Sequence, residues 1–119
     1  MPLSKSSREA GRSNDPPVLI LTSLASGPKH GYALLQDIAS FAGVTLGPGT
    51  LYGAIARLEE RGLIAPVGAS ERRRPYRLTA EGAEVLEATL ADLRSIVDEG
   101  TARLAAASAS RAATAGGLA

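Results

Sequence analysis

Residues 47–64 read GPGTLYGAIARLEERGLI. The spacing predicts a short helix. Gly47 can act as its N-cap, though a weaker one than Ser or Asp. Pro48 suits the first helical position, because its φ is preset and its missing N–H would have no partner there. Leu51, Ile55 and Leu58 recur at helical spacing and form a stripe to be buried. Gly62 is placed to stop the helix. The other face carries Gly49, Thr50, Tyr52, Gly53, Ala56 and Arg57. Small residues at the leading end let the backbone approach another surface closely.

Two further helices are expected upstream. Pro16 and Pro17 precede VLILTSLASG, and Gly27-Pro28 end it. This segment is apolar on nearly all sides, so it should be buried. Its β-branched content would also allow a strand. In KHGYALLQDIASFAG the residues Tyr32, Leu35, Ile38, Ala39 and Ala42 recur at helical spacing, and Gly43 follows as a stop. Residues 44–46 are too short for more than a small edge strand.

Downstream, residues 63–67 read as a strand and residues 68–74, GASERRR, as a turn with a basic run. Residues 75–78, PYRL, read as the returning strand, which completes a β-hairpin. Thr79 then caps a long helix, with Glu81 and Glu84 favourable near its positive end. Leu86, Leu90, Leu93, Val97, Gly100 and Leu104 are spaced 4, 3, 4, 3, 4, which is heptad spacing over a short seam. The final alanine-rich stretch keeps helix propensity but loses its apolar stripe, so fraying is expected from about Ser108. No internal repeat is visible.

The expected organisation is therefore a disordered arm over residues 1–15, a compact domain over 16–78, a dimerisation helix over 79–107 and a frayed tail over 108–119. The fold class is mainly α with a small β-hairpin. With aromatics limited to Tyr32, Phe41, Tyr52 and Tyr76 and no tryptophan, the core must be built from Leu, Ile, Val and Ala. So small a core is marginal alone, and oligomerisation is a common remedy.

The 119 residues contain no cysteine, which excludes disulfides, thiolate metal sites and a cysteine nucleophile. The N-terminus has no apolar core region, and no stretch approaches the roughly 20 apolar residues of a membrane span. A cytoplasmic location is expected. His30 is the only histidine, so a histidine-rich metal site is ruled out, and a packing or hydrogen-bonding role is favoured for it. Glu59 and Glu60 are neighbours on a helix and point apart. The glycines around Pro48 lack the G-K-[ST] of a phosphate-binding loop. No catalytic constellation, metal or cofactor is expected, and the chain does not read as an enzyme.

Net charge is +1 but uneven. Between Lys29 and Arg77 stand seven basic residues against four acidic ones, a balance of +3. From Leu78 onward six acidic residues outnumber three arginines, a balance of −3. The middle of the chain can therefore face a polyanion and the C-terminal part should avoid one.

Three helices followed by a hairpin with a basic tip is the order of a winged helix-turn-helix, whose reading helix enters the DNA major groove. On that reading Tyr52 contacts DNA rather than serving as half-buried scaffold. Thr50 either contacts DNA or satisfies the helix end. Arg57 either reaches a phosphate or is a solvated or paired charge. Arg72, Arg73 and Arg74 bind phosphates rather than serving only as a soluble hairpin tip, and Lys29 touches a phosphate near the second helix. Lys5, Arg8 and Arg12 read as a solvated tail. Tyr32 and Tyr76 read as packing.

The segments HGYALLQDIASFAG, GPGTLYGAIARLEERGLI and RRRPYRLTAEG together resemble the PadR family of transcriptional regulators, over about residues 17–86. The resemblance implies a dimeric repressor with a winged-helix DNA-binding domain and a C-terminal dimerisation helix, often relieved by a small effector near the dimer interface. Pro48, Gly49, Thr50 and Tyr52 match the start of the family's recognition helix. Arg73 and Arg74 match its basic wing, and His30, Gly31 and Tyr32 match the opening of its second helix. Position 47 is glycine where the family commonly has serine, and position 53 is glycine where proline is common. The single C-terminal helix resembles the short subgroup. Without tryptophan, the aromatic sandwich pocket of some short relatives cannot exist here as such.

The expectation is a sequence-specific DNA-binding regulator. It would be a homodimeric repressor of a pseudo-palindromic operator, joined through Leu86, Leu90, Leu93, Val97 and Leu104. The competing reading, suited by the weak net charge, is a winged helix used as a protein-interaction or scaffold module.

Overall fold

The computed structural model describes residues 15–68 and 74–118, with side chains described through residue 114. Among the described residues four helices and one hairpin follow in the order α1 (Pro16–Leu24), α2 (Gly31–Ala42), α3 (Pro48–Glu60), β1 (Ile64–Pro66), β2 (Tyr76–Leu78) and α4 (Ala80–Leu118). The chain divides into two compact units, residues 1–87 and 88–119.

In the first unit, α1 is a helix and not the strand its β-branched residues would also allow. Asp15 enters with extended backbone, prolines occupy the first helical positions, and Leu19, Ile20, Leu21, Ser23 and Leu24 are all buried. A helix apolar on most sides belongs inside, and α1 accordingly packs against both α2 and α3.

On α2 the buried row is Gly31, Leu34 and Ile38. Leu35 and Ala42 pack partly against the core. This face is rotated by about one residue from the expected stripe. Tyr32 is 65% exposed and Ala39 is exposed. The tyrosine turns outward, and its hydroxyl accepts a hydrogen bond from the Gln36 amide at 3.1 Å, one turn along the same face. Gly43 ends the helix with φ of 66°. Residues 44–47 have no regular structure, so the small edge strand does not form.

Helix α3 buries Leu51, Ala54, Ile55 and Leu58, the expected stripe with Ala54 added. Its stop is a Schellman motif. The Leu63 amide donates to the Leu58 carbonyl and the Gly62 amide to the Glu59 carbonyl, both at 3.0 Å. Gly62 takes φ of 76°, a conformation that costs glycine nothing.

The chain then enters the hairpin, with Ile64 opposite Leu78, Ala65 opposite Arg77 and Pro66 opposite Tyr76. Lys29 forms an isolated antiparallel bridge beside β2, exchanging backbone hydrogen bonds with Tyr76 at 2.9 and 3.1 Å. Tyr76 packs partly against the core, as expected of it.

Thr79 caps α4. Its hydroxyl accepts from the Gly82 amide at 3.0 Å and donates to the Gly62 carbonyl at 2.7 Å. Gly82 lies so close to the residue before β1 that a Cβ there would clash with the Leu63 carbonyl oxygen, so only glycine fits.

In the second unit α4 continues as regular helix to Leu118, past the expected fraying near Ser108. Alanine loses no side-chain entropy in a helix, so the run can stay helical without a buried stripe. Among the described residues no helix is long and apolar enough to cross a membrane.

Candidate nucleic-acid interface

The face of α3 opposite Leu51, Ile55 and Leu58 is open. Pro48, Gly49 and Thr50 are exposed at its leading end, and no side-chain cap bonds to the helix start. The first-turn N–H groups of Gly49 and Thr50 therefore have no intrahelical acceptor and point at whatever approaches. Nothing stands within 4 Å of where a Cβ of Gly47 or Gly49 would be, so this end is clear of the rest of the fold.

Tyr52 lies one turn further on and is 53% exposed. Its ring leans back over Gly31, the first residue of α2. Together with His30 and Tyr32 these residues line a shallow depression where the two helices meet. His30 is exposed and makes no side-chain cap bond. Arg57 is exposed, with one guanidinium nitrogen 3.6 Å from where a Gly53 Cβ would be. The arginine thus lies back along its own helix over Gly53.

Lys29 departs from expectation. Its ammonium donates to the Ser23 carbonyl, to the Ser26 hydroxyl at 2.7 Å and to the Gly27 carbonyl at 3.5 Å. Asp37, which accepts a 2.5 Å hydrogen bond from buried Ser23, stands 3.9 Å away. With its three donors engaged and its side chain only 18% exposed, Lys29 fastens the α1–α2 turn and does not offer a free charge to a phosphate.

Arg74 is half-buried at the start of the returning strand. Arg72 and Arg73, also expected at phosphates, lie outside the described residues. Arg77 is a further cation of the hairpin, outside the expected contacts. It is exposed on β2 between half-buried Tyr76 and Leu78, and the strand alternation in YRL was the signal for it.

The expected dimer seam also divides. Leu86 is 6% exposed and belongs to the core of the first unit, so it is unavailable to a partner. Leu93 is half-buried. Leu90, Val97 and Leu104 are 44%, 61% and 73% exposed, and Ile96, outside the heptad count, is 68% exposed.

Three helices, a two-stranded hairpin and an exposed small-residue face on the third helix define a winged helix-turn-helix protein of the kind that regulates transcription. The chain belongs to the PadR family: the sequence pattern described as "Transcriptional regulator PadR-like family" matches residues 20–88. That family consists of transcriptional regulators and not enzymes.

Among solved structures, the chain is similar to a PadR family transcriptional regulator from Eggerthella lenta, with 32% identity and a TM-score of 0.69, covering 86% of this chain and 90% of that one. A PadR family regulator from hypervirulent Clostridium difficile shares 28% identity at a TM-score of 0.64, covering 74% and 93%. In sequence the chain is 50% identical over 76 residues to an uncharacterized 37.1 kDa protein in transposon TN4556 of Streptomyces fradiae. That match covers 64% of this chain but only 22% of the relative, so the chain spans about a fifth of that protein's length.

Proposed function

We propose that the chain binds double-stranded DNA in the cytoplasm as a homodimeric repressor, with α3 in the major groove and the hairpin along the backbone. The observation that carries this reading is the open face of α3, where Pro48, Gly49, Thr50, Tyr52 and Arg57 stand opposite a fully buried stripe. Phosphate contacts from Arg57 and from Arg72, Arg73 and Arg74 set affinity and its salt dependence. Thr50, Tyr52 and the first-turn amides set register. Two copies joined through Leu90, Leu93, Val97 and Leu104 present two reading helices to the half-sites of a pseudo-palindrome. A small effector at that junction would act by changing the spacing of the reading helices.

The test is titration of a duplex carrying the chain's own promoter at several salt concentrations. Binding that weakens steeply and linearly in log salt supports the reading. Absence of any salt-sensitive binding favours a protein-interaction module instead, which the net charge of only +1 would suit.

A further inference from the structure

We propose that Gly31 is a positioning residue for Tyr52: the bare first residue of α2 seats the tyrosine ring and so determines how α3 offers it to DNA. The role on DNA rests on the reading above.

A Cβ on Gly31 would stand 2.1 Å from the Tyr52 hydroxyl oxygen, 2.8 Å from Cζ and 3.1 Å from Cε1. No side chain larger than hydrogen fits beneath the ring in this position. Gly31 is not required by the backbone, because it is not among the glycines of positive φ. It opens a helix, where alanine would be the better helix former. The contact with Tyr52 is therefore what the glycine serves. Gly31 is buried, whereas the tyrosine is 53% exposed, so the hydroxyl end of the ring rests on α2 while the rest faces outward.

The two helices of the motif thus touch through an aromatic side chain that itself lies on the reading face. A ring already held in one rotamer loses less freedom on binding than a free one, and its outward edge is aimed. Any residue with a Cβ at position 31 would swing the ring away, which is sterically cheap because the blocked atoms are the far end of a flexible side chain.

The experiment compares wild type, Gly31→Ala, Tyr52→Ala and the double variant. In the free protein, nuclear Overhauser contacts between the Tyr52 ring and the Gly31 α-protons report the seat without DNA. Gly31→Ala is expected to shift the Tyr52 ring resonances, to leave Tm unchanged or raised, and to weaken promoter binding by about 3- to 10-fold. In the Tyr52→Ala background the same substitution should cost no further affinity. Absent Overhauser contacts, wild-type affinity in Gly31→Ala, or losses that multiply in the double variant would overturn the proposal. Should the wild type bind no DNA, the regulator reading and the DNA role of Tyr52 fall together, while the Overhauser contacts still decide the seat.

Discussion

The Thr79 hydroxyl donates a 2.7 Å hydrogen bond to the Gly62 carbonyl across 17 residues of chain, while accepting from the Gly82 amide at 3.0 Å. One side chain thereby caps α4 and ties its start to the turn that ends α3. The Thr79 amide adds a 3.1 Å bond to the Leu63 carbonyl. Thr79→Ala should lower stability by about 1–2 kcal/mol, the usual cost of a lost cap, and Thr79→Ser should recover most of it. Denaturant midpoints at one protein concentration check this, with the m-value expected to stay constant.

Gly82 faces the Leu63 carbonyl across a gap that holds no methyl group. Gly82→Ala gains helix propensity yet should destabilise by about 1–3 kcal/mol, because a backbone oxygen cannot step aside as a side chain can. Thermal unfolding would show a lowered Tm. A raised Tm would mean that Leu63 and the start of α4 are not so closely apposed.

Lys29 separates scaffold from interface. Lys29→Met leaves the Ser23 carbonyl and Asp37 without their cation and should cost about 1.5–3 kcal/mol of stability. The salt slope of DNA binding by the folded fraction should stay unchanged. A flattened slope would return Lys29 to the phosphate contacts.

Arg57→Ala should do the reverse. Its side chain is exposed, so stability should hold within about 0.5 kcal/mol. Affinity should fall across all duplex sequences and the salt slope should flatten by about one unit. An effect confined to one base-pair position would instead mark Arg57 as a base reader.

Val97 is 61% exposed on a helix where Leu90, Ile96 and Leu104 are also open. Val97→Glu should leave the fold of residues 16–87 intact and give monomers in sedimentation. An unchanged oligomeric mass would move the interface elsewhere on the chain.

Much of the architecture was legible because its signals are local. Pro48, Gly62 and Thr79 mark helix ends through their own backbone requirements, and Leu51, Ile55 and Leu58 repeat at the period of the helix they occupy. These properties hold whatever the segment packs against. The same chain also carries the signature by which residues 20–88 are placed in their family.

Other roles depend on which element arrives from far along the chain, and local spacing holds no record of that. Tyr32 fitted the expected α2 stripe, yet the packed face lies one residue round and Leu34 fills it. Lys29 looked like a free cation until the turn folded Ser23, Ser26 and Asp37 around it. Leu86 kept heptad spacing with Leu90, yet it lies in the core while Leu90 is open.

The sequence by itself determined where α2 stops, where α3 starts and stops, where α4 starts and which face of α3 is apolar, because capping and periodicity act within a few residues. Only the tertiary structure decided that Gly31 lies under Tyr52, that Gly82 lies against Leu63 and that Lys29 is held inside. Those contacts arise when whole helices close on a shared core, and close packing assigns each side chain a neighbour that its own segment cannot specify.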